Sequence, residues 1–145
     1  MRYLIFLVSA WLLVPGSELC AQGKTEPWNE KQLVSTAWLA SRIEQGDTND
    51  LLVLSIGPDA IIKGSTAIGP TSEKENLEKL RQYLSDVPKS KEVVIYCGCC
   101  PFDRCPNIRP AFKVLGDMDF KKGKLLDVPQ NIKVDWLDKG YPMNE

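Results

Sequence analysis

Residues 92–105 read EVVIYCGCCPFDRC, and they give the strongest indication of the fold. Residues 93–96 are apolar without a break, which is typical of a strand buried on both faces of a parallel sheet. Four of the five cysteines of the chain then fall within nine residues. Residues 107–116 carry apolar side chains at helical spacing, so we expect the cysteines to lie between a buried strand and a helix.

The sequence upstream predicts the same alternation of helix and strand. Ser35 is typical of a helix N-cap, apolar residues follow it at helical spacing, and Gly46 is expected to end this helix. Residues 51–56 predict a second buried strand. Ser72 and Glu75 have the spacing of a capping box, which predicts the start of the next helix.

The sequence downstream completes a domain. Asn107 is expected to cap the helix that follows the cysteines, and Gly116 to end it. Residues 124–128 predict a last strand, and residues 132–137 predict a short final helix. Strands separated by helices imply right-handed crossovers, a parallel central sheet and helices on both of its faces. We therefore predict one α/β domain over residues 33–145.

The segment before this domain has the pattern of an export signal. A positively charged start is followed by an almost unbroken apolar run over residues 4–14 and then by Ala21, which predicts a secretory signal over residues 1–21. The run is too short to span a bilayer comfortably, so we expect membrane attachment only if Cys20 carries a lipid. Residues 22–32 form a polar leader. The expected location is periplasmic or extracellular, with lipid anchoring through Cys20 as the alternative.

The composition excludes several classes of function. A net charge of −1, from 18 basic and 19 acidic residues, disfavours a general binder of nucleic acid. The chain contains no histidine, which excludes catalysis by its own Ser-His-Asp or Cys-His groups and excludes histidine-ligated metal sites. We expect no cofactor and no resident metal. The chemistry is therefore left to the cysteines.

Cys97 is the candidate catalytic residue because it directly follows a buried strand. Ligands of open α/β sheets bind at the carboxyl ends of the strands. Backbone N–H groups near a helix N-terminus favour a thiolate, which is the nucleophilic form of cysteine. We expect Arg104 and Arg109 to hold an anionic substrate with paired hydrogen bonds. The predicted substrate-binding loop comprises Gly98, Cys99, Cys100, Phe102, Asp103, Arg104 and Arg109.

Three other interpretations of the cysteines stay open. Two disulfides could staple the loop, although such short loops contribute little chain entropy. Four thiolates could bind zinc or copper(I), although zinc ligands are usually split into two separated pairs. Cys97 and Cys100 form a C-x-x-C motif, which permits thiol–disulfide exchange with a partner redox protein. Thioredoxin-like folds place this motif early, whereas Cys97 lies about two-thirds of the way along this chain.

Four segments together resemble a single rhodanese-like domain that covers nearly the whole chain after the leader. A helix over residues 35–40 (STAWLA) leads into the strand over residues 51–55. Residues 62–68 (IKGSTAI) are similar to the family's Gly-His-Ile-Pro-Gly-Ala segment. Residues 94–97 (VIYC) resemble the strand that ends in the family's nucleophilic cysteine, and residues 135–142 (DWLDKGYP) resemble its closing Trp and Gly-Tyr-Pro.

This resemblance implies a sulfurtransferase that needs no cofactor. Cys97 would take sulfur from a small donor such as thiosulfate, hold it as a persulfide and pass it to cyanide or a thiol. The chain departs from the family where residues 55–57 (SIG) replace Asp-x-Arg and Ser65 replaces the usual histidine. The loop after Cys97 is also longer than the family's usual one. The resemblance therefore leaves the donor open.

The three further cysteines of the loop suggest additional chemistry. Cys99, Cys100 and Cys105 are candidate resolving thiols that would attack a persulfide or sulfenate on Cys97. The alternative enzyme is a thiol–disulfide oxidoreductase that uses Cys97 and Cys100. The non-catalytic alternative is a sulfur-carrier, metal-binding or interaction module on the same fold.

Overall fold

The computed structural model describes residues 26–145, and the predicted signal over residues 1–21 with Cys20 lies outside the described residues. The regular elements alternate as the sequence predicts. They are β1 (Leu33–Ser35), α1 (Thr36–Glu44), β2 (Leu51–Ser55), β3 (Thr66–Ala67), α2 (Lys74–Ser85), β4 (Glu92–Tyr96), α3 (Ile108–Asp117), β5 (Gly123–Asp127) and α4 (Ile132–Asp135). Short 3₁₀ turns cover Glu30–Gln32, Phe102–Arg104 and Leu137–Lys139.

The five strands form one parallel sheet in the order β1-β5-β4-β2-β3. Strand β4 lies at its centre, where Ile95 pairs with Leu54 of β2 and with Leu125 of β5. The predicted parallel sheet is confirmed. The edge strand β1 was not predicted, because its three residues show no periodic pattern and become a strand only through their pairing with β5.

Each face of the sheet packs against its own helices, which confirms the predicted layers. Alternate residues of a strand point to opposite faces, so Val93 and Ile95 lie in one buried cluster with α2 and α3. Val94 and Tyr96 lie in the other cluster, with α1 and with Trp136 after α4. Cys97 continues the alternation and belongs to the α2 and α3 face. Within residues 26–145 no helix is both long enough and apolar enough to cross a bilayer.

The helix caps are confirmed in one case and wrong in another. Ser35 caps α1 as predicted, since its Oγ accepts a hydrogen bond from the Trp38 N–H at 3.1 Å. The capping box at Ser72 does not form, because α2 begins one residue later, after Glu73, and has no side-chain cap. The Ser72 N–H instead donates to Oδ1 of Asn107. Helix α2 is therefore tied at its start to the segment that follows the cysteines.

Candidate active site: a cysteine cluster at the end of the central strand

Cys97 is the first residue after β4 and has no exposed surface. The carboxyl end of the neighbouring strand β2 closes on its sulfur. A Cβ atom placed on Gly57 would lie only 3.0 Å from Sγ of Cys97, so a larger residue there would press on this sulfur. The prediction that Cys97 directly follows a buried strand is confirmed by this placement, and the structure adds that the strand is the central one.

Three further free thiols lie around Cys97 and form with it what we call the cysteine cluster: Cys97, Cys99, Cys100 and Cys105. Sγ of Cys99 lies 3.3 Å from Sγ of Cys97 and 3.3 Å from Sγ of Cys100. The sulfurs of Cys97, Cys99 and Cys105 all lie within 4.8 Å of one another. These separations exceed the S–S bond length of about 2.05 Å, so the alternative of two disulfide staples is not seen within residues 26–145.

The cluster members differ sharply in exposure. Cys97 and Cys105 are fully buried, Cys100 is half-buried and Cys99 is exposed. The cluster therefore runs from the protein interior to its surface. Cys97, Cys99 and Cys105 are also close enough together to offer three thiolates to one soft metal ion. The alternative of a metal-binding module stays a prediction.

Cys97 receives several hydrogen bonds. Nδ2 of the buried Asn107 donates to Sγ of Cys97 at 3.4 Å, and the thiol of Cys105 and the backbone N–H of Cys99 donate as well. The backbone around Asn107 is itself held, because its carbonyl accepts from Oγ1 of Thr71 at 2.6 Å. Asn107 occupies the N-cap position of α3, but its side chain makes no capping hydrogen bond there. The predicted capping role of this side chain is therefore wrong.

These contacts make Cys97 the acidic thiol of the cluster. The pKa of Cys97 is lowered to about 5, first by the hydrogen bond from the Cys105 thiol and then by those from Asn107 and Cys99, against the effect of burial. Burial and the hydrogen bond to Cys97 raise the pKa of Cys99 to about 12. The pKa of Cys105 lies far above its ordinary value, chiefly because its thiol donates to Cys97. At neutral pH one thiolate is thus held by donors that keep their protons.

The two arginines of the predicted substrate loop contact groups of the protein itself. The guanidinium of Arg109 pairs with Oε1 of Glu26 at 2.5 Å, donates to the carbonyl of Asp103 at 2.7 Å and lies over the ring of Trp28. The side chain of Arg104 is exposed and lies 4.0 Å from the carboxylate of Asp103. Their role in binding an anionic donor stays a prediction. The leader residue Glu26 could not have been connected with Arg109 from sequence spacing.

The remaining loop residues fix the path of the backbone. The Phe102 N–H donates to the carbonyl of Val128 at 3.1 Å, so this amide is already occupied. The carbonyl of Gly98 accepts from the Ile132 N–H at 2.9 Å. A cavity of about 180 Å³ opens beside this contact. Its lining comprises Pro58, Asp59, Ile61, Gly98, Cys99 and Ile132, so the exposed thiol of the cluster faces a small, largely apolar space.

Replacement of Gly98 by alanine is expected to destabilise the protein by about 1–3 kcal/mol, because such overpacking displaces neighbouring groups. The new Cβ would lie 2.7 Å from Cβ of Ile132. The matched control is Gly116→Ala in α3, where nothing lies within 4 Å and where alanine should be neutral or stabilising. Urea unfolding followed by circular dichroism measures both variants. Equal stabilities of the two variants would show that the Gly98 contact is loose.

The comparisons with known proteins place the fold. No protein-family model and no curated protein matches the sequence. Wild-type EanB superposes with a TM-score of 0.57, at 13% identity over 79% of this chain and 27% of EanB. An EanB variant, described with ergothioneine covalently linked with a cysteine persulfide, gives 0.56 at 13% identity, over 79% of this chain and 28% of that chain. A protein from Lactobacillus plantarum gives 0.47, at 18% identity over 67% of this chain and 87% of that protein.

At this level of identity the comparison with EanB shows a shared fold, and this chain spans about a quarter of the length of EanB. The fold is α/β with a five-stranded parallel sheet. The cysteine cluster lies at the carboxyl end of its central strand, where such sheets bind ligands. Fold and cluster together define an α/β protein whose cysteine-rich site is suited to sulfur chemistry.

Proposed function

We propose that this protein is a rhodanese-like sulfurtransferase that carries sulfane sulfur as a persulfide on Cys97. The observation that carries the proposal is the buried Cys97 sulfur at the end of β4, with hydrogen bonds from Asn107, Cys105 and the Cys99 backbone. A thiol held in this way is already ionised at neutral pH and is the nucleophile among its neighbours. The persulfide described for an EanB structure supports the proposal, since part of EanB shares this fold.

The proposed reaction has two displacement steps and no net change in oxidation. The Cys97 thiolate attacks the sulfane sulfur of the donor, a new S–S bond forms, and the donor's bond to that sulfur breaks with its electron pair on the leaving group. An acceptor, either cyanide or a thiol, then attacks the outer sulfur. The S–S bond of the persulfide breaks and its electron pair returns to Cys97. A thiol of low pKa is a good leaving group in this second step.

The surroundings of Cys97 favour a small donor. Cys97 has no exposed surface, so a donor reaches it only when a covering group moves. Rotation of the exposed Cys99 side chain, whose sulfur contacts that of Cys97, is the smallest such motion. The contacts to Cys97 in the described part of the chain come from uncharged groups. A low-molecular-weight persulfide therefore suits the site better than the dianion thiosulfate. The proposal retains export through residues 1–21.

A turnover assay tests this function. The reduced protein is mixed with cysteine persulfide and cyanide, and thiocyanate is measured. We expect product from the wild-type protein and none above the uncatalysed rate from Cys97→Ser. A Cys97→Ser variant with the wild-type rate would overturn the proposal.

The second candidate function is thiol–disulfide exchange, which the 3.3 Å separation between the sulfurs of Cys97 and Cys99 favours. The sequence paired Cys97 with Cys100, whereas the structure places the sulfur of Cys99 at 3.3 Å from that of Cys97 and places Cys100 against Cys99. Reduction of a disulfide substrate, such as insulin, distinguishes the two functions. A dithiol oxidoreductase needs two of these thiols for each turnover, whereas sulfur transfer to cyanide needs Cys97 alone.

A further inference from the structure

We propose that Cys99 is a second sulfur carrier, which takes the outer sulfur of the Cys97 persulfide and presents it to the acceptor at the protein surface. This inference rests on the proposed function and adds a step to it. Its basis is the direct contact between a fully buried sulfur and an exposed one. The acceptor would then be a thiol too large to reach Cys97.

The geometry supplies the path. Sγ of Cys99 lies 3.3 Å from Sγ of Cys97, and Cys99 is exposed whereas Cys97 is not. Cys99 also lines the cavity of about 180 Å³ that opens beside the loop. An acceptor thiol held in this cavity would lie next to the Cys99 side chain. Sulfur on Cys99 is therefore available to partners that the burial of Cys97 excludes.

The other two thiols of the cluster fit this role less well. Cys105 is buried as completely as Cys97, so sulfur passed to it would stay inside the protein. The Cys100 sulfur contacts Cys99 and lies farther along the loop. A transfer to Cys100 would therefore pass through Cys99 first.

The step balances without an oxidant or a reductant. The Cys99 thiol gives its proton to the outer sulfur of the Cys97 persulfide anion, and the resulting Cys99 thiolate attacks that sulfur. A bond forms between the Cys99 sulfur and the outer sulfur while the bond to the Cys97 sulfur breaks. The electron pair of the broken bond stays on Cys97. One sulfur atom with its proton has moved, and Cys97 is again a thiolate.

The hydrogen bonds of the cluster set the direction of this step. The departing Cys97 thiolate regains the donors that hold its pKa at about 5, namely Cys105, Asn107 and the Cys99 backbone. In thiol exchange a thiol of low pKa is the better leaving group, so these hydrogen bonds favour displacement of the Cys97 sulfur. Sulfur is therefore expected to pass from Cys97 to Cys99.

Site-resolved mass spectrometry tests the relay. The reduced protein is loaded anaerobically with the smaller donor cysteine persulfide, alkylated and digested, and sulfane sulfur is located on each cysteine. In the wild-type protein we expect it on Cys99 as well as on Cys97. In Cys99→Ser we expect it on Cys97 alone, with transfer to glutathione slowed at least tenfold relative to transfer to the small acceptor cyanide. The sulfur found on Cys97 shows that the Cys99→Ser variant is folded and loaded.

The contrary outcomes separate the relay from the proposed function. Sulfur on Cys97 alone in the wild-type protein, or wild-type transfer to glutathione by Cys99→Ser, would overturn the relay and leave the function intact. Hydrosulfide release with a Cys97–Cys99 disulfide would make Cys99 a resolving thiol instead and also overturn the relay. Transfer to glutathione that is slowed more by Cys100→Ser than by Cys99→Ser would assign the relay to Cys100 and overturn it for Cys99. Loading of Cys99 in a Cys97→Ser variant would overturn the proposed function itself.

Discussion

Replacement of Cys105 by alanine is expected to raise the pKa of Cys97 and to slow its alkylation near pH 6 about tenfold, which corresponds to a shift of roughly two pKa units. The hydrogen bond from the Cys105 thiol is the largest single cause of the low pKa of Cys97. Without it, burial opposes the thiolate, with only Asn107 and Cys99 left as donors. The thiolate forms as the pH rises through the pKa, so the variant becomes reactive only at higher pH.

The rate of alkylation of Cys97 as a function of pH is the measurement. The wild-type profile is expected to rise through a midpoint of about 5 and then level off. Cys105→Ser is the conservative control, because its hydroxyl can still donate to the Cys97 sulfur. Its midpoint should lie between those of the wild-type protein and Cys105→Ala. If all three proteins share one midpoint, Cys105 does not set the acidity of Cys97.

Replacement of Trp136 by alanine is expected to lower the free energy of unfolding by about 3–5 kcal/mol, which is the usual effect of removing a large aromatic side chain from a core. Trp136 is fully buried on the α1 face of the sheet. Its Nε1 donates to the carbonyl of Pro142 at 2.9 Å, and its ring packs edge-on against Tyr141 with the centroids 5.2 Å apart. The side chain thus fastens the C-terminal segment to the core. The loss is a large part of the 5–15 kcal/mol by which domains are usually stable.

Urea unfolding followed by far-ultraviolet circular dichroism measures this loss. Trp136→Phe is the matched variant, since it keeps an aromatic ring in the core but removes the indole hydrogen bond, so that the Pro142 carbonyl accepts only from the Lys63 N–H at 3.1 Å. We expect its loss to be clearly smaller than that of the alanine variant. A Trp136→Ala variant within about 1 kcal/mol of the wild type would contradict the packing described here.

Local signals in the sequence were enough to predict most of the fold. The apolar runs predicted β2 and β4, residues 124–128 predicted β5 to within one residue, and Ser35 predicted the start of α1. Each of these signals lies within a few neighbouring residues. Strand β1 was missed because its residues pair only with β5, about 90 residues farther along the chain.

The site was predictable only in part, for a similar reason. The position of Cys97 at the end of a strand follows from the apolar run before it. The contact between Cys97 and Cys105 does not follow from any local pattern. It depends on the 3₁₀ turn over Phe102–Arg104, which returns the chain to the neighbourhood of Cys97. The role of Asn107 was mistaken because capping rules consider only the adjacent helix, whereas its amide reaches a sulfur ten residues earlier. An amide side chain at the start of the helix after a nucleophilic loop was the available signal.

The most direct test of the proposed persulfide is the intact mass of the reduced protein before and after exposure to a sulfane donor. We predict that the wild-type protein gains the mass of one sulfur atom and loses it again, with release of thiocyanate, when cyanide is added. We predict that Cys97→Ser gains no sulfur. No gain of sulfur, with only the loss of two hydrogen atoms that marks an internal disulfide, would contradict sulfur transfer and assign the cluster to thiol–disulfide chemistry.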